Sequence, residues 1–121
     1  MDIGNLLKLA IPLFVVHAIE EYSTGFLGLD PLFRSIATHH LPTIAIYVVE
    51  QLLLVAILLW AMYQPQRWLL VFIGLLFIFE ASHVIPALAQ TSYYPGLLTA
   101  VLLLLLGFFY WRAVILRFTT R

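Results

Sequence analysis

The sequence contains no cysteine, which excludes disulfide bonds and thiolate metal sites. Charged residues are also scarce, at 10% of the chain, whereas a soluble domain has about a quarter. The formal net charge is zero and no run of basic residues occurs, which argues against a nucleic-acid partner. No basic segment precedes the first apolar run, so we do not expect a cleaved signal peptide. These absences argue against an ordinary soluble domain.

Apolar residues, in contrast, make up 64% of the chain. A helix needs roughly 20 apolar residues to cross a bilayer core, and four segments qualify, at about 5–27, 41–63, 68–89 and 95–116. The sequence therefore predicts an all-α fold, an antiparallel up-and-down bundle of four transmembrane helices that forms a single integral membrane domain over residues 1–121.

Four prolines bear on where these helices begin and bend. Pro42 and Pro95 stand where helices begin, a position that proline favours. Pro12 and Pro86 fall inside predicted helices, where they should kink the backbone.

The basic residues predict the orientation of the four helices. With four spans, both termini and the turn at 64–66 share one side of the membrane. That side carries Lys8, Arg67, Arg112, Arg117 and Arg121, whereas the opposite side carries only Arg34. Basic residues are enriched in cytoplasmic segments, so we expect both termini in the cytoplasm and a multi-pass protein of the bacterial inner membrane.

Ionisable residues inside the spans share a common depth. At about 1.5 Å per residue from the cytoplasmic helix ends, His17 and Glu20 lie roughly 18 and 22 Å deep. The same count places Glu50 at roughly 20 Å, and Glu80 and His83 at roughly 18 and 22 Å. Ionisable groups inside a membrane are rare and usually functional, so the shared depth predicts a site.

Metal binding is the chemistry that this layer favours. Four carboxylates in a low dielectric cannot all stay ionised without cations, and two divalent ions would neutralise them. Di-metal helix bundles use four carboxylates and two histidines with Glu-x-x-His spacing, the spacing of Glu80 and His83. We therefore predict two divalent ions, Fe, Zn or Mn. The predicted ligands are His17, Glu20, Glu21, Glu50, Glu80 and His83.

Further roles follow for residues around the ligands. Glu21 differs in direction from Glu20 by about 100°, so it is either a sixth ligand or a catalytic general base. Four polar residues are candidates to support the ligands by hydrogen bonds: Tyr47, Gln51, Tyr94 and Thr99. His39 and His40 are interpreted as solvated loop residues, and Arg34 as reaching at most the rim of the site.

The motif His17-Ala18-Ile19-Glu20-Glu21 resembles that of a family of small membrane proteins named for its HXXEE motif. Later features that fit the family are Glu50, the Glu80-x-x-His83 pair and Tyr94-Pro95-Gly96-x-x-Thr99. The resemblance covers most of the chain. It implies a compact helical membrane protein in which the motif acts as a functional unit, and it implies no particular reaction.

These observations favour a metal-dependent integral membrane enzyme that acts on a lipidic or apolar substrate from a site in the outer half of the bilayer. The ligand inventory favours a di-iron oxidoreductase, and a zinc-type hydrolase is the main alternative. An ion or proton transporter could use the acids as a relay, although all of them lie at one depth. A structural subunit and a homo-oligomer also stay open.

Overall fold

The computed structural model describes residues 2–29, 35 and 43–119, and within these ranges it contains helices and no strand. The helices are α1 (Ile3–Thr24), α2 (Phe26–Leu29), α3 (Thr43–Tyr63), α4 (Arg67–Ala81), α5 (Val84–Gln90) and α6 (Leu97–Thr119). Four helical spans are long and apolar enough to cross a membrane: Ile3–Thr24, Thr43–Tyr63, Arg67–Gln90 and Leu97–Thr119. The prediction of an all-α fold with four membrane helices is confirmed.

The ends of α1 follow from its capping residues. The Asp2 carboxylate accepts a hydrogen bond from the Asn5 backbone N–H at 2.8 Å, as an N-cap side chain does. At the other end Gly25 has φ 91°, and its N–H donates to the carbonyls of Glu21 and Tyr22. A glycine in the left-handed region ends a helix, so α1 stops at Thr24 rather than at the predicted residue 27. The helix continues through Pro12.

The third predicted helix, 68–89, is interrupted between α4 and α5. Proline has no N–H and its ring excludes the carbonyl four residues earlier, which for Pro86 belongs to Ser82. The Ser82 carbonyl instead accepts the Ile85 N–H at 3.0 Å, and the Ser82 N–H donates to Phe79 at 3.0 Å. The span therefore contains one tightened turn just before Pro86, and His83 lies in that turn.

The core lies between α1, α4 and α6, with α3 packed against α1. Its fully buried side chains include Leu7, Phe14, Leu70, Leu103 and Tyr110. The Tyr110 hydroxyl donates to the Leu70 carbonyl at 2.9 Å, so the buried phenol keeps a partner. The apolar core includes Ile3 near the start of α1, Ala61 near the end of α3, Leu69 near the start of α4 and Val114 near the end of α6.

Small residues let α4 and α6 approach closely. A Cβ on Gly107 would lie 2.9 Å from the Phe77 Cβ, and a Cβ on Gly74 would lie 2.5 Å from the Trp111 ring. The Trp111 indole N–H donates to the Gly74 carbonyl at 3.0 Å. Membrane helices associate through such small-residue contacts and interhelical hydrogen bonds, and this pairing fixes α6 beside the segment that carries Glu80 and His83.

Candidate metal centre

Four of the predicted ligands form one cluster, which we call the His/Glu cluster: His17, Glu21, Glu80 and His83. His17 and Glu21 lie one turn apart on α1, Glu80 lies near the end of α4, and His83 lies in the turn before α5. Each side chain offers one ligand atom, and these atoms lie within 4.8 Å of one another. Residues far apart in the sequence thus converge on a space that would suit one metal ion.

The cluster pairs carboxylates with imidazoles. His17 Nε2 is 3.1 Å from Glu80 Oε2 and 3.5 Å from Glu21 Oε1. His83 Nδ1 is 3.2 Å from the same Glu21 oxygen. The side chains of His17 and Glu21 are each 3% exposed, and those of His83 and Glu80 are 10% and 13% exposed. Two acids and two imidazoles are therefore gathered in a largely dry interior.

Aromatic rings and one glycine surround His83 and close the cluster. The Phe26 and Tyr94 rings lie 5.2 and 5.7 Å from the His83 ring. Gly96 adopts φ 81°, and a Cβ there would lie 2.8 Å from His17 Cε1, 3.0 Å from Glu21 Cγ and 3.0 Å from His83 Nδ1. Only glycine fits both this conformation and the close approach to three members of the cluster.

Tyr47 holds the second oxygen of Glu21. Its hydroxyl lies 2.8 Å from Glu21 Oε2 and 2.9 Å from the Ala18 carbonyl oxygen, and it is placed to donate to either. A phenol has one proton, so it donates to one of these acceptors at a time. Glu21 Oε1 faces the two imidazoles, and this arrangement orients the carboxylate toward the cluster.

Glu20 points away from the cluster and binds the start of α6. Its Oε1 accepts the Leu98 N–H at 3.0 Å and the Tyr93 hydroxyl at 2.5 Å. Its Oε2 accepts the Thr99 N–H at 2.9 Å and the Thr99 hydroxyl at 2.5 Å. Burial raises the pKa of the Tyr93 phenol, and donation to Glu20 raises it further. A carboxylate at a helix N-terminus satisfies N–H groups that have no partner within the helix, so Glu20 joins α1 to α6.

Thr99 connects this cap to the cluster. A carboxylate can only accept hydrogen bonds, so the Thr99 hydroxyl donates its proton to Glu20 Oε2 at 2.5 Å. The Thr99 oxygen lies 2.6 Å from His17 Nδ1, and it can then only accept, so Nδ1 carries a proton. In a neutral imidazole the other nitrogen, Nε2, then presents its lone pair. This Nε2 is the atom that faces Glu80 and Glu21.

The other predicted site residues lie around the cluster. Glu50 is an exposed residue of a groove between α3 and α4, the α3–α4 groove, which Glu80 also lines. Gln51 faces a different groove, between α1 and α3. Tyr94 contacts the His83 ring. Arg34, His39 and His40 lie outside the described residues. The structure brings four of the six predicted ligands together. The assignment of all six as ligands stays a prediction.

Sequence analysis assigned no role in the site to two of its contributors, although Gly96 belongs to a feature that fits the family. Tyr93 donates to Glu20, and Gly96 leaves space for the cluster. The Pro95-Gly96 pair marks a turn in the sequence, and this signal could have directed attention to Gly96. Nothing in the sequence distinguishes Tyr93 from Tyr94.

Comparison with known proteins yields one family. The model of the family described as "protein of unknown function with HXXEE motif" matches residues 8–111. The matched range contains the whole His/Glu cluster and Glu20, Glu50 and Thr99. No curated protein and no solved structure matches the chain.

Proposed function

Since the chain belongs to the family of proteins of unknown function with the HXXEE motif, we propose that this motif supplies two ligands, His17 and Glu21, to a membrane metal centre. Glu80 and His83 complete the centre. The observation that carries this proposal is the convergence of four ligand atoms within 4.8 Å. The protein is proposed to be a metal-dependent integral membrane enzyme whose substrate is lipidic or apolar.

Charge balance supports one divalent ion at this cluster. Two carboxylates and two neutral imidazoles carry a charge of −2 together, and a divalent ion brings the total to zero. A neutral assembly avoids most of the free-energy cost of burying like charges in a low dielectric. Two ions would require the Glu20 and Glu50 carboxylates as well, and Glu20 already binds the start of α6.

The donor set narrows the choice of metal. Two imidazole nitrogens and two carboxylate oxygens suit Fe, Mn or Zn better than Cu(I). A zinc ion would supply Lewis acidity for hydrolysis, and an iron ion would supply redox chemistry. Glu21 is better placed as a ligand than as a general base, because Oε1 faces both imidazoles while Oε2 meets Tyr47.

Ion transport receives less support than catalysis. A conducting path needs polar groups at successive depths, whereas the described residues between the cluster and the end of the bundle with both termini include the apolar core of Leu7, Phe14, Leu70 and Leu103. In proteoliposomes we therefore expect no proton or cation flux above that of empty vesicles. A flux abolished by Glu80→Gln would favour the transporter instead.

Elemental analysis of the protein, purified in mild detergent without chelator, tests the metal centre. We expect about one Fe, Mn or Zn per chain, and its loss in Glu80→Gln, which keeps the shape of the side chain and removes its charge. Glu50→Gln is the matched control, because it makes the same chemical change outside the cluster and should leave the metal bound. Loss of metal in both variants would support the six-ligand, two-ion site. Full occupancy in Glu80→Gln would refute the proposed centre.

A further inference from the structure

The α3–α4 groove leads from the surface of the helices to the His/Glu cluster. It encloses about 430 Å³, within the usual size range of ligand sites. Its lining on α3 extends from Ile46 to Ile57, about 16 Å along the helix axis. Val49 and Leu53 are more than half exposed. In a bilayer, this surface would face lipid chains that run in roughly the same direction as the helices.

Of the described residues that line the α3–α4 groove, two are carboxylates and the others are apolar. Glu50 and Glu80 line the groove nearer to the start of α3 and the end of α4, and Leu53, Phe72 and Leu76 are among its apolar residues. Glu80 belongs both to this groove and to the cluster, since its Oε2 contacts His17 Nε2 at 3.1 Å. A molecule lying in the groove would therefore place its polar end beside the proposed metal centre.

We propose that the α3–α4 groove is the substrate site of this centre, and that it takes a single-chain amphiphile whose head group carries O–H or N–H donors and no negative charge. This inference rests on the proposed function. The apolar lining suits an alkyl chain. The Glu50 carboxylate accepts hydrogen bonds and repels a carboxylate or phosphate head, strongly so in a low dielectric. Long-chain alcohols and amines have this chemistry.

The groove between α1 and α3 provides an internal comparison. It encloses about 390 Å³ and presents almost no polar surface. The hydroxyl of its Tyr47 turns inward, toward Glu21 and Ala18. Among the described residues that line this groove there is no carboxylate, so these residues offer no anionic acceptor for a head group. The two grooves have similar volumes and differ in their acids.

Photo-crosslinking of the metal-loaded protein tests the assignment. Three probes of equal chain length carry a diazirine at the chain terminus and end in a hydroxyl, an amine or a carboxylate. We expect the alcohol, the amine or both to label the α3–α4 groove, and the labelling to be displaced by the same compound without the diazirine. The carboxylate probe should label it at least about tenfold less. Comparing the labelling by the alcohol with the labelling by the amine shows whether the groove prefers a neutral or a cationic head group.

Two neighbouring leucines give matched variants. Leu53 lines the α3–α4 groove and is 59% exposed, and Leu52 lines the other groove and is 64% exposed. Leu53→Trp should abolish labelling, and Leu52→Trp should preserve it. Glu50→Gln should keep labelling by the alcohol and remove the discrimination against the carboxylate probe. If Leu53→Trp does not fold, the test is made on the parent protein: the alcohol without the diazirine should displace the labelling of the α3–α4 groove by the alcohol probe.

Several results would overturn the inference. The first is equal labelling by all three probes, and the second is labelling that the competitor does not reduce. The third is a shift from dimer to monomer in Leu53→Trp, because it would show that the groove is an interface between two copies of the chain. Metal content is measured on the same samples. Absent groove labelling with about one ion per chain refutes the groove and leaves the metal centre standing. Absence of metal from the parent protein refutes the proposed function itself.

Discussion

Adjacent carboxylates of the HXXEE motif have different surroundings. Glu21 faces His17 and His83, whereas Glu20 accepts hydrogen bonds from the start of α6. Thr99 joins the two roles, because its hydroxyl contacts both Glu20 and His17. Groups that hold the second nitrogen of a metal-binding histidine fix its tautomer and ring orientation, so this threonine is a positioning residue for the proposed centre.

We predict that Thr99→Val weakens metal binding by about 10- to 100-fold, the usual effect of losing such a partner. Valine retains the backbone N–H that Glu20 accepts and removes the hydroxyl that orders the His17 proton. Thr99→Ser is the control, because it keeps the hydroxyl and should bind metal nearly as well as the parent. Titration against a competing chelator measures both affinities. Equal affinity in the valine and serine variants would contradict the positioning role.

Among the structural elements, the turn before α6 matters most to the cluster. Gly96 and Gly25 both have positive φ, at 81° and 91°. A Cβ on Gly96 would meet three residues of the cluster, whereas a Cβ on Gly25 would meet nothing within 4 Å. Alanine substitutions at the two glycines therefore distinguish the effect of backbone strain from the effect of a methyl group placed in the cluster.

Gly96→Ala is expected to lose metal, and Gly25→Ala is expected to keep it. Both substitutions should lower the free energy of unfolding by about 1 kcal/mol through the left-handed conformation alone. Only the first adds a methyl group where His17, Glu21 and His83 converge. Elemental analysis and thermal unfolding of both variants test this difference. Retention of metal by Gly96→Ala would show that the cluster is looser than the structure indicates.

Apolar runs were sufficient to predict the four candidate membrane spans. Counting residues along the helices predicted a common depth for His17, Glu80 and His83, and their ligand atoms do lie within 4.8 Å of one another. Rotation about the helix axis was not predictable in the same way. On α3, Tyr47 faces the interior and Glu50 faces a groove, a choice set by packing against α1. Likewise, Glu20 and Glu21 have different roles because Glu20 binds the start of α6. The sequence of α1 alone does not indicate where α6 begins relative to it.

At the scale of the whole molecule, the proposed ion should couple metal binding to stability. Without it, Glu21 and Glu80 face each other's charge in a largely dry interior unless they take up protons. Protons compete with metal for carboxylates and imidazoles, so the stability contributed by metal is present at high pH and decreases as pH falls. An ion present at 100 times its dissociation constant contributes about 2.7 kcal/mol.

Chelation should therefore lower the thermal midpoint more at pH 8 than at pH 5. Thermal unfolding in detergent, with and without chelator at each pH, measures the difference. The Glu80→Gln protein is the control, and its midpoint should not respond to chelator at either pH. A parent protein that is equally indifferent at both pH values would indicate that the acids are protonated structural groups.

Orientation in the membrane determines which half of the bilayer holds the cluster. The cluster lies near the Tyr94-Pro95-Gly96 turn. The described basic residues lie away from it along their helices: Lys8 near the start of α1, Arg67 at the start of α4, and Arg112 and Arg117 in the last part of α6. We propose that this basic end is cytoplasmic and that the helices alternate in direction, so that the cluster lies in the outer half.

Single-cysteine variants can test the orientation cleanly, because the chain has no cysteine of its own. Gln64 and Ser92 lie in turns at opposite ends of the Arg67–Gln90 span, and both are exposed. A membrane-impermeant thiol reagent added to intact cells should label Ser92→Cys. It should label Gln64→Cys and Thr119→Cys only after the membrane is permeabilised. The inverse pattern would place the cluster in the cytoplasmic half, where an amphiphile would have to enter the α3–α4 groove from the inner leaflet. Labelling of Gln64→Cys and Ser92→Cys from the same side would contradict the membrane span between them, and with it the alternating arrangement of helices.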